Sequence, residues 1–135
     1  MTKNDCKGPD SQSTFERSQC PITNGLDIFG DKWTLLVIRD LVLGKRRYQD
    51  LISSPENIAS NILADRLKRL EAAGLLTRRA YQQKPERYEY VLTEKGSDLK
   101  SVLEAIGRWG KKHYPATRMF QPVQQDRPVF PKAGK

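Results

Sequence analysis

Apolar residues along this chain fall into blocks whose spacing switches from helical to alternating and back. Pro21 suits the first position of a helix, with Cys20 before it. Leu26, Ile28 and Phe29 supply that short helix's apolar side, and Gly30 stops it. Asp31 is placed to cap the next helix, Lys32 to Val42. Its apolar positions Trp33, Leu35, Leu36, Val37, Ile38, Leu41 and Val42 surround most of the cylinder, which predicts a helix central to a core. Gly44 ends it. Tyr48, Leu51 and Ile52 share one helical face and predict a third short helix, Tyr48 to Ile52, broken by Ser53-Ser54-Pro55.

A fourth helix, Asn61 to Ala73 with Ser60 as its cap, is free of Gly and Pro. Leu63, Leu67 and Leu70 form its buried stripe, flanked by Ile62. Asn61, Ala64, Asp65 and Lys68 then face outward, with Arg66 and Arg69 on the flanks. Gly74 ends the helix and Leu75-Leu76 return the chain to the core. Two strands are predicted, Leu76 to Tyr81 and Arg87 to Thr93, around a polar hairpin tip at 82–86. A last helix, from Thr93 or Glu94 to Tyr114, carries Leu99, Val102, Leu103, Ile106, Trp109 and Tyr114 as a broad apolar stripe. So small a domain has limited core left to cover, so part of that stripe is expected to bury against another subunit. The expected organisation is a polar arm at 1–19, one domain at 20–114 and a Pro-containing tail at 115–135.

Composition narrows the function. At 135 residues, with 37% hydrophobic and 30% charged residues, the chain reads as one polar globular domain. The uncharged run Trp33–Ile38 is only six residues long, far short of the roughly 20 a membrane helix needs. The N-terminus has no apolar signal region, so a cytoplasmic protein with no membrane partner is expected. Two cysteines, Cys6 and Cys20, and one histidine, His113, leave little for a metal site or a Ser-His-Asp triad. No Gly-rich phosphate loop occurs. The chain is expected not to be an enzyme and to need no cofactor or metal.

The net charge of +8 is unevenly spread. Residues 1–43 carry five basic and six acidic groups, whereas residues 44–90 carry ten basic and six acidic, the excess beginning at Lys45-Arg46-Arg47. Such a field suits a polyanion. Compact helices followed by a basic hairpin describe an α+β, mostly α, winged helix-turn-helix with a two-stranded wing and a C-terminal dimerisation helix.

The chain here resembles the HxlR-type bacterial transcription regulators. The resemblance lies in Cys20-Pro21, in Gly30-Asp31-Lys32-Trp33-Thr34-Leu35-Leu36 with Arg39-Asp40-Leu41, and in Gly44 with Arg46-Arg47-Tyr48 and Leu51. It continues through Asn61-Ile62-Leu63-Ala64-Asp65-Arg66-Leu67, Leu70-Glu71, Gly74-Leu75-Leu76, Tyr88-Glu89-Tyr90, Leu92-Thr93-Glu94-Lys95-Gly96 and Trp109. It spans roughly Cys20 to Tyr114. It implies a two-fold dimer that controls transcription, a repressor by preference, on double-stranded DNA.

Residue chemistry agrees with that implication. In a winged helix the fourth helix enters the major groove, with Ser60 and Asn61 leading; the Asn61 amide can read adenine bidentately. Lys68 and Arg66 lie nearer the backbone; the alternative for Arg66 is an internal pair with an acid such as Asp50 or Glu71. Asp65 either accepts from cytosine or repels wrong sequences. Arg46 and Arg47 are read as phosphate contacts, or else as a solvated turn. Lys84 and Arg87 flank Pro85 at the wing tip, and at most one of Arg78 and Arg79 reaches DNA from one side of a strand. Leu99, Val102, Leu103, Ile106 and Trp109 are expected to pack on the partner's first helix.

The signal has several open sources. Some HxlR-like regulators use the cysteine matching Cys20 to sense oxidants or electrophiles, and a helix start favours a thiolate; Cys20 is otherwise a small helix-start residue. Cys6 is a candidate resolving partner. A small ligand between Phe29, Trp33 and Trp109 competes with a core role for those aromatics. Two other functions remain alongside: a protein-interaction winged helix, and a non-specific chromosome-associated protein.

Overall fold

The computed structural model describes residues 17–122. Helices α1 (Pro21–Phe29), α2 (Thr34–Val42), α3 (Tyr48–Ile52) and α4 (Ser60–Ala72) precede an antiparallel hairpin, β1 (Leu76–Gln83) and β2 (Glu86–Leu92). Helices α5 (Glu94–Ser97) and α6 (Lys100–His113) follow. The protein is a winged helix-turn-helix, mostly helical, as the apolar pattern predicts.

The core is built where the periods place it. Val37, Ile38 and Leu41 of α2, Leu51 of α3, and Leu63, Leu67 and Leu70 of α4 are buried together with Ile58, Leu75, Leu76 and Leu99. Gly74 has φ +81° and no atom near the place a Cβ would take, so the left-handed turn alone calls for glycine there. Gly96 is different. A Cβ there would lie 2.1 Å from the Leu75 carbonyl oxygen, so α5 approaches the core closely only through a glycine.

Several boundaries differ from expectation. Asp31 does accept from the Trp33 and Thr34 amides, but residues 31–33 form a turn and α2 begins at Thr34, not Lys32. Ser60 is the first helical residue of α4, not its cap. Ala59 holds the extended cap position, no side chain caps the helix, and the Ser60 carbonyl instead accepts from Tyr48 Oη at 3.1 Å. The hairpin tip narrows to Lys84-Pro85, because pairing continues to Gln83 and Glu86 after a one-residue bulge at Tyr81. The expected single last helix is two. Leu99 N bonds to the Gly96 carbonyl, a tightened turn that ends α5 and swings Leu99 inward.

One apolar residue and one segment also depart from expectation. Leu26, expected on the packed side of α1, is 52% exposed, while Ile28 and Phe29 pack on the core. The segment 115–122, within the expected tail, has no helix but folds back on α6: Lys111 Nζ donates to the Pro115 and Thr117 carbonyls, and Met119 lies over Gly107.

Candidate nucleic-acid interface

The leucine stripe of α4 is spent on the core, so the opposite side of the helix faces water. Ser60, Asn61, Ala64 and Lys68 are all exposed. Asn61 and Lys68 are seven residues apart, two turns, and so share one face. A neutral amide near the helix start and an ammonium two turns on set a two-sided hydrogen-bonding group and a cation in line, chemistry of the kind that base edges and phosphates accept.

Arg66 is arranged otherwise. Its Nε donates to Asp31 Oδ2 at 2.9 Å and its Nη1 to Asp65 Oδ2 at 2.6 Å, and its side chain is only 16% exposed. The internal pair weighed from the sequence is present, with Asp31 and Asp65 rather than Asp50 or Glu71. Burial acts to raise the Asp31 carboxyl. Hydrogen bonds from the Thr34 hydroxyl, Arg66 and the Trp33 amide outweigh it and hold the group far below the usual carboxylate range. Asp65 is committed as well, bridged to Arg69 at 2.9 Å.

Arg46 and Arg47 do more than introduce α3. The Arg46 carbonyl accepts from Tyr90 N at 2.6 Å, and the backbone of Arg47 pairs with that of Glu89 in an isolated antiparallel bridge, so this stretch runs along β2. The Arg47 guanidinium lies 3.8 Å from the centre of the Tyr81 ring, which the bulge turns toward it. On the wing, Arg79 is taken by Glu89 at 2.7 Å and Arg78 lies over Tyr88. Lys84 and Arg87 are exposed at its end.

The structure also contains a polar cluster the sequence reading missed. Asp40 is 3% exposed on α2. Its Oδ2 accepts from Ser54 Oγ at 2.8 Å, its Oδ1 from Arg39 Nε at 3.0 Å, and Lys45 stands 3.8 Å away. A signal was present: a charge on a helix apolar nearly all round must be buried, and a buried charge needs partners. These contacts fix the turn that leads into α4.

A family model described as an HxlR-like helix-turn-helix matches residues 28–118. The chain belongs to this family. It is similar to the HTH-type transcriptional regulator sll1512 of Synechocystis, 36% identical over 91 residues that cover 67% of each protein. It is also similar to YdeP of Bacillus subtilis, 35% identical over 94 residues, 70% of this chain and 73% of that one. Among solved structures, the oxidized form of the redox regulator HypR superposes with a TM-score of 0.63 at 31% identity, over 75% of this chain and all of that one. Reduced YodB from B. subtilis gives 0.61 at 27% identity over the same shares. The chain is thus an HxlR-like helix-turn-helix transcription regulator.

Elsewhere in this HxlR-like regulator the expected residues divide. Leu99, expected at a subunit seam, lies in the chain's own core at 9% exposure, because the α5–α6 turn points it inward. Val102 and Leu103 are half-buried against the same core. Ile106 (51% exposed), Trp109 and Tyr114 on and after α6 are open to solvent, as are Ile22 and Leu26 on α1. Phe29 and Trp33 pack on the core while Trp109 stands in solvent beside His113 and Tyr114, so these three line no common cleft. Cys20 is exposed at the cap of α1, where the Thr23 and Ile22 amides lower its thiol below the ordinary value. Cys6 lies outside the described residues. Among the described residues, no group of His, Cys, Asp and Glu is placed to hold a metal ion, and no helix is long and apolar enough to cross a membrane.

Proposed function

We propose that this regulator acts in the cytoplasm as a two-fold dimer that represses transcription from an inverted-repeat operator. The observation carrying the proposal is the division of α4: Leu63, Leu67 and Leu70 sit in the core while Ser60, Asn61, Ala64 and Lys68 face outward, beside a wing that ends in Lys84 and Arg87. Inserted in the major groove, α4 reads bases through Asn61 and fixes register through Lys68. Arg46, Arg47, Lys84 and Arg87 flank it on the phosphates, Arg47 from its seat on Tyr81.

Dimerisation would cover the apolar side chains that the fold leaves in water. Ile106 and Trp109 of α6 meet Ile22 and Leu26 of the partner's α1, and both helices pack on α2 within the chain. Two-fold symmetry then sets the recognition helices about 34 Å apart. Hydroxyl-radical footprinting of the bound upstream region tests this arrangement. Two protected stretches one helical turn apart, related by a dyad, are expected. A single protected stretch would contradict the dimer.

For the signal, the exposed Cys20 at the α1 cap supports an oxidant or electrophile acting on the thiolate, in keeping with the likeness to HypR. Oxidation would remove two electrons and two protons from a pair of thiols and leave a disulfide, or an electrophile would alkylate the sulfur. A small ligand is the second source of signal. The wall between α2, α6 and residues 118–122 holds a groove of about 400 Å³ lined by Val42, Leu43, Leu103 and Phe120.

A further inference from the structure

One carboxylate joins the start of α2 to the middle of α4. Asp31 Oδ2 accepts from the backbone N–H of Trp33 (3.0 Å) and Thr34 (3.2 Å), closing the open end of α2, and from Arg66 Nε (2.9 Å) thirty-five residues later. Arg66 Nη1 then passes to Asp65, and Asp65 to Arg69. The link therefore joins two sequence blocks, Gly30–Leu36 and Asn61–Leu67, by a directional polar contact.

The leucine stripe fixes how deeply α4 sits. Apolar contact is non-directional, however, and three leucines on one line resist rotation of the helix about its axis only weakly. A charge-assisted hydrogen bond on the flank is directional and supplies that restraint. Any rotation of α4 about its axis would swing Asn61 and Lys68, on its outer side, off the groove axis.

We propose that Asp31 is a positioning residue for DNA recognition: by holding Arg66 it sets the rotation of α4, and Arg66 itself touches no phosphate. The inference rests on the DNA-binding reading above. It removes Arg66 from the set of backbone contacts and adds Asp31, which touches no DNA, to the residues on which specific binding depends.

The test uses the full chain and two variants. D31N keeps an oxygen to cap α2 but removes the anion that ties Arg66 to α2, leaving it Asp65 on its own helix, and R66M removes the other half while leaving the cap intact. Circular dichroism and the thermal midpoint confirm folding of each. Fluorescence anisotropy is then measured on the upstream duplex and on a random duplex across a salt series. Each variant should lose about tenfold on the upstream duplex, and the double variant no more than either single one, the sign of a coupled pair. The slope of log K against log salt should stay at the wild-type value. A slope shallower by about 0.9 per subunit in R66M, with D31N unchanged, would assign Arg66 to a phosphate and overturn the proposal. Unaltered affinity in D31N would overturn it as well. Wild-type protein that binds neither duplex would defeat the DNA reading itself, and this inference with it.

Discussion

Arg39 and Glu56, seventeen residues apart, are joined by two parallel hydrogen bonds of 2.9 Å each, Nη1 to Oε2 and Nη2 to Oε1. The pair clamps α2 to the turn before α4, and Arg39 reaches Asp40 and Ser54 with its other donors. The ring of Phe120 covers the guanidinium at 4.8 Å.

This clamp predicts a pH dependence. The hydrogen bond from Arg39 is the largest influence on Glu56 and, against some burial, lowers its carboxyl to about 2. The unfolded value is near 4.3. A carboxyl depressed in the folded state contributes stability above its unfolded value and loses it as pH falls through the folded one. E56Q should therefore be less stable than wild type at pH 7, by about 1 kcal/mol given that solvent screens a partly exposed pair. The difference should fade between about pH 5 and 2 and vanish below it. Urea unfolding at several pH values measures it, and a difference independent of pH would refute the clamp.

Leu99 and Ile106 separate stability from assembly. L99A should cost about 2–4 kcal/mol in unfolding free energy, since it empties a buried position. I106D replaces an exposed side chain and should leave the thermal midpoint within a few degrees of wild type. It should sediment as a monomer and bind DNA weakly. A tight dimer of folded I106D would rule out the α6 seam.

Asn61 and Lys68 should differ in kind. N61A should reduce the preference for the upstream duplex by about 1–3 kcal/mol, relaxing choice at one base position. K68A should weaken binding to every duplex alike and lower the salt slope by about 0.9 per subunit. Competition titrations with base-substituted duplexes distinguish these effects. Equal behaviour of the two variants would place α4 outside the groove.

Much of this architecture is legible in the sequence because a period of 3.6 or 2 maps directly onto a buried face. Leu63, Leu67 and Leu70 show it, and so does the division of α4 into inner and outer sides. Periodicity cannot say which body an apolar residue buries against. Leu99 therefore reads as seam although it is core, and Leu26 reads as packed although it is open. Nor does it register polar contacts between distant residues. Asp31 reads as a cap, which it is, but its second partner Arg66 lies in another helix and no local signal joins them. The Arg47–Tyr81 stack depends on a bulge in β1, and a bulge has no distinctive composition here.

Cys20 should decide the thiol route. Diamide treatment should change operator affinity in wild type and leave C20S unaffected, since the lowered thiol sits exposed at the α1 cap. A response retained in C20S would transfer the signal to another group. Non-reducing electrophoresis of the treated wild type checks for the intersubunit product.

The most direct measurement is an anisotropy titration of the wild-type chain against the DNA upstream of its own coding sequence, with random duplex as competitor. Binding at least about 100-fold tighter than to the competitor is the result expected of a sequence-reading α4. Equal, salt-sensitive affinity for both duplexes would contradict sequence reading and leave a basic winged helix that binds DNA without choice. No binding at low salt would contradict the account altogether and favour a protein partner for the exposed face of α4.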